Sequence, residues 1–285
     1  MKPLLVIDGD SFAHRAFHAL PRSFRRDDGG PANSLIGFMS MLLRLCQTER
    51  PRAVVVAWDT YGVPTYRNTL LETYQSGREF DPEIVDQLAL LPALVSSAGI
   101  VCGKEGGFEA DDFLAAAVRA ERGRGGTTLV ATSDRDAFQL AAPDVTILQP
   151  VRGVSELRRI GPAEVRERYG VEPLQVPDFI ALRGDPSDRI PGARGVGEKT
   201  AAALLQTFPD LEAMIAAGRF EAEAVQLRAF RQIATLDPAA PLPGLPDLEP
   251  DWAAAARAAE ELGVGRLAAR LREVQGLVLD PGTEH

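Results

Sequence analysis

The chain is poor in the residues that build most redox and soft-metal sites: its 285 residues include two cysteines and three histidines. Cys46 and Cys102 flank apolar segments without metal-ligand spacing, so neither a disulfide framework nor a zinc centre is indicated, and two buried, reduced thiols are expected. No apolar run approaches the roughly twenty residues of a membrane span. No early basic segment leads into an apolar run with a small-residue cleavage site, so no secretory signal is visible and a cytoplasmic protein is expected. Positive charge is also scarce, with 31 Lys and Arg against 40 Asp and Glu and a net charge of −9. Spread over the surface, that excess would disfavour a polyanionic partner such as nucleic acid. Gathered around cations, it would not.

What is present is an alternation. The segments "PLLVID", "RAVVVAWD", "GTTLVATSD" and "DVTILQ" are short, uninterrupted apolar runs rich in β-formers. Helical spacing lies between them, over about residues 34–47, 82–98 and 111–122. Such runs predict a parallel sheet covered on both faces, an α/β domain over about residues 1–155. Beyond "GVSELRRIGP" strand signals fade. Helical segments follow through "PAEVRERYG", "PDFIALRG", "EKTAAALLQTF", "DLEAMIAAG" and "AEAVQLRAFRQIA", then a Pro-rich stretch, a last helix in "DWAAAARAAEELG" and a short tail. Residues 156–285 are therefore expected to form a helical region.

The acids fall where this topology gathers side chains. Asp8, Asp59 and Asp134 close three predicted strands, and parallel sheets bind ligands outside their carboxyl ends. Asp136 follows in the same loop as Asp134. "GFEADD" places Glu109, Asp111 and Asp112 just before a helix, and "GDPSD" adds Asp185 and Asp188. Singly, each has a local reading: Asp111 or Asp112 as a helix cap, "DPSD" as turn chemistry. Together, nine carboxylates at one edge need cations, because close like charges raise one another's pKa. Oxygen-only ligands suit Mg²⁺ or Mn²⁺, and two such ions are the usual device of phosphodiester hydrolysis. These nine acids equal the entire net charge of −9, so the remainder is neutral and nucleic acid is again admissible.

Two further stretches bear on a nucleic-acid partner. In "GARGVGEKTA", Gly195 and Gly197 permit tight turns before a helix, with Arg194 and Lys199 adding charge, a pattern suited to a phosphate. It also suits a plain turn between packed helices. Between Tyr61 and Phe80, aromatics alternate with Arg67 and Arg78, as either a stacking surface or ordinary amphipathic packing. His14 and His18 lie one helical turn apart and carry no catalytic assignment.

Through "LLVIDGDSFAHRAFHAL", "VVVAWD", "YQSGR", "GFEADD", "ATSDRDAFQL" and "LRGDPSDRIPGARGVGEKTA", the chain resembles the 5′-nuclease domain of bacterial DNA polymerase I, within the flap endonuclease family. The resemblance implies a PIN-like α/β nuclease core with a helical arch at about residues 60–95. It also implies a helix-3-turn-helix element binding duplex DNA at about residues 178–210. It implies two divalent cations, Mg²⁺ or Mn²⁺, held by Asp8, Asp59, Glu109, Asp111, Asp112, Asp134, Asp136, Asp185 and Asp188. The first seven of these, with Arg78, would be catalytic. Arg67, Tyr74, Gln75, Arg78, Arg194, Gly195, Gly197 and Lys199 would contact DNA. Relatives often hold K⁺ at the helix-3-turn-helix, which extends the resemblance to a K⁺ site.

The expectation is a monomeric, stand-alone 5′-3′ exonuclease and flap endonuclease without polymerase activity. Its substrates would be 5′ flaps and nicked or gapped duplexes, and it would work beside DNA polymerase and ligase in replication and repair. One departure stands out: the family pattern Tyr-Lys-x-x-Arg at the arch base reads here Tyr74-Gln75-Ser76-Gly77-Arg78, replacing the lysine that contacts the scissile phosphate. Gln75 motivates a rival, a DNA-structure-binding protein with weak or no turnover. A PIN-type ribonuclease is a second rival, disfavoured by the DNA-binding helical region.

Overall fold

Apolar residues on both sides of the pleat determine the centre of the molecule. Every residue of β1 (Leu4–Asp8) and β2 (Ala53–Ala57) is buried, which only a sheet covered on both faces satisfies. The computed structural model describes residues 1–77, 79–152 and 156–279; Arg78, expected at the arch base, lies outside them. With β3 (Val101–Gly103), β4 (Thr128–Ala131), β5 (Val145–Arg152) and β6 (Glu156–Ile160), the strands form a six-stranded sheet in the order β3-β2-β1-β4-β5-β6. All pairings are parallel except β5 with β6. The chain runs outward from β1 through β2 to β3, then returns to β4 on the other side of β1. That reversal opens a crevice between the carboxyl ends of β1 and β4.

The helices divide between the two faces. On one lie α5 (Ala110–Gly123), α6 (Pro162–Tyr169), α7 (Val176–Arg183), α8 (Glu198–Thr207), α9 (Leu211–Ala216) and α10 (Ala224–Ala234), through buried Phe113, Val165, Phe179, Leu205, Met214 and Phe230. On the other lie α1 (Gly9–Ala19), α2 (Asn33–Glu49) and α4 (Pro82–Ser96), joined by α11 (Trp252–Glu261) and α12 (Gly265–Leu279), around Phe12, Phe38, Trp58, Leu91, Trp252 and Leu267. The Pro-rich segment crosses between the faces. It is fixed by Arg52, which is bonded to buried Glu121 and donates from Nη1 to the Leu245 carbonyl at 3.0 Å and to Asp247 at 2.8 Å. The Asp251 N–H adds a bond to the Ala98 carbonyl at 3.0 Å.

Several expectations shift. The two strands unforeseen by the apolar pattern are β3, only three residues long, and β6, a polar edge strand "ELRRI". Because β6 belongs to the sheet, the α/β unit runs to Ile160 rather than 155. The expected tail after residue 264 is α12. The arch region contracts: α4 buries Ile84, Leu88, Leu91, Leu94 and Val95 against the core. The segment between β2 and α4 is then about residues 60–81 and, among the described residues, holds one short helix, α3 (Tyr66–Leu70).

The turn between α7 and α8 rests on an unusually close backbone approach. A Cβ built on Gly192 would stand 2.5 Å from the Gly184 nitrogen and 2.8 Å from the Leu182 carbonyl, and both glycines have positive φ, +77° and +81°. The intervening loop is closed by paired hydrogen bonds between Asp185 and Ile190, each 2.8 Å.

A similar approach sets the first acids. A Cβ on Gly9 would meet the Trp58 ring at 2.5 Å and the Ala57 carbonyl at 2.6 Å. Gly9→Ala is expected to cost about 1–3 kcal/mol through overpacking between α1 and β2, read as a lower Tm in thermal denaturation; an unchanged Tm would contradict the packing.

Candidate metal and nucleic-acid site

Acidic side chains from both parts of the chain meet above the β1/β4 crevice. They line a cleft of about 320 Å³ bordered by Asp8, Asp10, Asp59, Glu109, Asp111, Asp134, Asp136 and Asp188. Asp8 caps α1 by accepting the Ser11 N–H at 2.9 Å, and its other oxygen accepts the Thr132 hydroxyl at 2.7 Å, bridging the two strands. The Asp134 N–H donates to the Thr132 hydroxyl at 3.0 Å, and Asp134 accepts the Asp136 N–H at 2.9 Å. Asp59 accepts the Ala110 N–H at 2.7 Å, joining the end of β2 to the start of α5.

The "GFEADD" acids separate by face. Glu109 accepts a hydrogen bond from the Tyr74 hydroxyl at 2.9 Å. Asp111 turns into the cleft, where its buried Oδ1 has no hydrogen-bond partner. Asp112 turns away. Its two oxygens accept from the Arg67 guanidinium at 2.7 and 2.8 Å and from the N–H groups of Asp237 and Glu109 at 2.8 and 3.0 Å. With both oxygens saturated and no surface exposed, Asp112 is a core brace, and the expectation of a metal ligand there gives way. The same pair corrects Arg67, which is 1% exposed and also donates to the Ile233 carbonyl at 3.0 Å; it is buried rather than presented to DNA.

Asp185 is likewise set back. It is bonded to Arg183 at 3.2 Å and to the Ser187 hydroxyl and N–H, which shapes the loop carrying Asp188 and leaves Asp185 outside the cleft wall. Asp10, absent from the expected set, is in that wall. It accepts the Asp59 N–H at 2.7 Å and the Tyr61 hydroxyl at 2.5 Å. The strand-end signal "DGD" contains it, but residues after a strand carry no mark of which way they face.

A second side of the cleft joins the segment after α3 to the helical region. Gln75, in a left-handed conformation at φ +49°, donates from its amide to the Tyr74 hydroxyl at 2.8 Å and to Asp188 at 3.2 Å. Glu109, Tyr74, Gln75 and Asp188 thus form one hydrogen-bonded chain across the site. His14, Tyr61 and Phe80 complete the mouth, with Phe80 5.3 Å from His14 and 5.2 Å from Tyr61 between ring centroids. Further out, Arg194, Gly195, Gly197 and Lys199 are exposed at the turn leading into α8. One N–H of that turn is already used: Arg194 donates it to Glu223 at 2.9 Å.

Crowding and burial leave the acids reluctant to ionise. Burial, reinforced by neighbouring carboxylates, pushes Asp8 and Glu109 up to about 7, Asp10 to about 8, and Asp111 and Asp136 well above the ordinary range. Among the described residues no three acidic side chains form a ready single-ion cage. The acids instead line a wider basin, which fits Mg²⁺-type ions that retain several waters and take only one or two carboxylates each. The partnerless Asp111 oxygen and the all-oxygen donor set agree with that fit.

Comparison with known proteins gives consistent relationships. Residues 3–170 match the family model of the 5′-3′ exonuclease, N-terminal resolvase-like domain, and residues 171–252 that of the 5′-3′ exonuclease, C-terminal SAM fold. DNA polymerase I of Mycobacterium tuberculosis is 42% identical over 214 residues, covering 74% of this chain and 24% of the relative. That of Bacillus caldotenax is 38% identical over 240 residues, covering 82% and 27%. The chain therefore spans about a quarter of the length of these relatives. Among solved structures, T5 5′-exonuclease with bound divalent metal ions (zinc) has a TM-score of 0.69 at 18% identity, covering 95% of this chain and 98% of that one. Human GEN1 in complex with Holliday junction DNA has a TM-score of 0.59 at 14% identity, covering 99% and 75%. At these identities the structural likeness speaks to the fold.

Two substitutions separate the acids that repel from the acid that braces. Raised carboxyl pKa values mean the folded state holds protons that the unfolded chain releases near pH 4. Stability of the metal-free protein therefore falls as pH rises from about 4 through about 7. Asp136→Asn is expected to raise the metal-free Tm at pH 8, whereas Asp112→Asn, leaving Arg67 with a broken buried pair, is expected to cost about 3–5 kcal/mol. Calorimetry in EDTA checks both; equal effects of the two variants would contradict the division.

Proposed function

The chain belongs to the 5′-3′ exonuclease family, and from that premise we propose that it is a structure-specific 5′-nuclease hydrolysing DNA phosphodiesters at 5′ flaps and at nicked or gapped duplexes. The observation that carries this reading is the convergence of acids from the ends of β1, β2 and β4, the start of α5 and the Asp188 loop on one basin. A protein that only binds DNA gains nothing from concentrated negative charge at its binding face.

Asp8, Asp10, Asp59, Glu109, Asp111, Asp134, Asp136 and Asp188 are the residues that would hold two divalent ions, Mg²⁺ or Mn²⁺. Such ions, when bound, lower the pKa of water and neutralise charge on the scissile phosphate. The rest of the work falls to the chain. Thr132, Ser11 and Ala110 fix the orientation of Asp8 and Asp59 through the hydrogen bonds described above, so the acids are set before substrate arrives. Tyr74 holds Glu109, and Gln75 holds Tyr74 and Asp188. The exposed turn at Arg194, Gly195, Gly197 and Lys199 offers N–H groups and charge to a backbone phosphate of the duplex, and the same turn is the place for a K⁺ ion. The reading extends to a monomer that acts in the cytoplasm, beside a DNA polymerase and a ligase in replication and repair.

Gln75 gives the site a particular character. Its amide can donate to a phosphate oxygen but adds no positive charge against the charge that develops in the transition state. Gln75→Lys is expected to raise the single-turnover rate on a 5′ flap by about tenfold, equivalent to about 1.4 kcal/mol; no gain with either Mg²⁺ or Mn²⁺ would overturn this role.

The defining experiment is a labelled 5′-flap assay with product sizing in Mg²⁺ and Mn²⁺, alongside an RNA flap. Cleavage of the DNA flap supports the proposal; a gel shift without product identifies a binding protein, and preference for RNA a ribonuclease. Asp134→Asn is expected to abolish cleavage while leaving flap affinity within about threefold; retained turnover would remove Asp134 from the metal set.

A further inference from the structure

Next to the acidic basin the chain gathers positive charge on a ladder of aromatic rings. Phe138, Tyr169 and Phe179 stand in sequence, with centroids 5.9 Å and 5.1 Å apart. The Arg168 guanidinium lies 5.9 Å from the Phe138 ring and 5.7 Å from Tyr169, and that of Arg183 lies 5.2 Å over Phe179. Arg135 lies beside the Tyr169 hydroxyl, where its charge acts on that group. Among the described residues, Arg183 pairs with Asp185 at 3.2 Å, whereas no carboxylate pairs with Arg135 or Arg168.

The ladder matters for where these cations point. A guanidinium resting on a ring face keeps its N–H edge free and its stem ordered, so little conformational entropy remains to be lost when an anion arrives. Two of the cations, Arg168 and Arg183, rest on rings in this way. Arg183 spends Nε on the Gly184 carbonyl and Nη2 on Asp185, whereas Arg135 and Arg168, unlike the arginines at Glu121 and Asp112, are not neutralised by buried acids among the described residues. Their position is also specific. Arg135 lies between Asp134 and Asp136 in the chain, and Arg183 is bonded to the loop that carries Asp188. The positive cluster begins where the negative basin ends.

We propose that Arg135, Arg168 and Arg183 form a phosphate subsite on the Phe138–Tyr169–Phe179 ladder, which grips a backbone phosphodiester of the bound DNA beside the metal basin. The inference rests on the nuclease reading and adds to it a second contact, separate from the turn at Lys199. It answers an electrostatic need: a phosphodiester strand approaching eight carboxylates is repelled unless cations adjoin them.

Binding of a fluorescent 5′ flap, measured by anisotropy in Ca²⁺ across a salt series, tests this for Arg135→Gln, Arg168→Gln and their double variant, each first shown to keep the wild-type Tm. The double variant is expected to bind about tenfold more weakly at low salt. Its slope of log Kd against log salt should be shallower by about 1–2, near 0.9 per lost phosphate contact. Arg168→Lys, which keeps the charge, should retain the slope. Wild-type protein that binds, with variants matching it in Kd and slope, overturns the subsite alone. Wild-type protein that fails to bind the flap overturns the nuclease reading and the subsite with it.

Discussion

The buried pair between Arg67 and Asp112 is the joint on which the site depends. Arg67 comes from the short helix α3, Asp112 from the first turn of α5, and the remaining bonds reach Ile233 at the end of α10 and Asp237 in the Pro-rich segment. Three parts of the chain distant in sequence, around residues 67, 112 and 233–237, are thereby fixed to one charge pair, beside the acids that line the cleft. Its desolvation is offset because every Asp112 oxygen and three Arg67 nitrogens are bonded. The pair also screens its surroundings: Arg67 is a main influence favouring ionisation of Glu109. A hydrophobic pair of equal volume would fill the space and lose that influence.

The cleft illustrates how function is built against stability. Acids that fold comfortably only when protonated are held close by hydrogen bonds that orient them for something else. The hydrogen bonds at Asp8 and Asp59 come from backbone N–H groups at the starts of α1 and α5, where the helix dipole eases negative charge. That eases the repulsion without removing it, and the remainder is a standing attraction for cations.

Much of this was legible in the sequence because parallel strands impose their own geometry. Once "LLVID" and "AVVVA" are recognised as strands buried on both faces, Asp8 and the acids beyond β2 and β4 must gather at one edge. The burial pattern could not say which acid of an adjacent pair faces that edge. Asp111 and Asp112 are neighbours in sequence with opposite fates, decided by where α5 meets α3 and α10, a contact between residues far apart along the chain. Asp10 escaped notice for the same reason, since its role depends on Asp59 and Tyr61 forty-nine and fifty-one positions away. The strands β3 and β6 escaped because one is too short and the other too polar for periodicity to show. Arg67 read as a surface arginine among aromatics, and only tertiary packing reveals it as interior.

The strap that Arg52 pins to the back of the sheet separates the unit of descent from the unit of folding. The family match ends at residue 252, where α11 begins. Yet Trp252, Ala255, Ala256, Leu267 and Leu271 are buried in the same apolar core as α1, α2 and α4 on that face. A gene fragment cut at the boundary of recognisable ancestry would thus leave an oily wall facing water. The part of the chain beyond the family match shares a core with the helices that cover the strands whose far ends carry the acids.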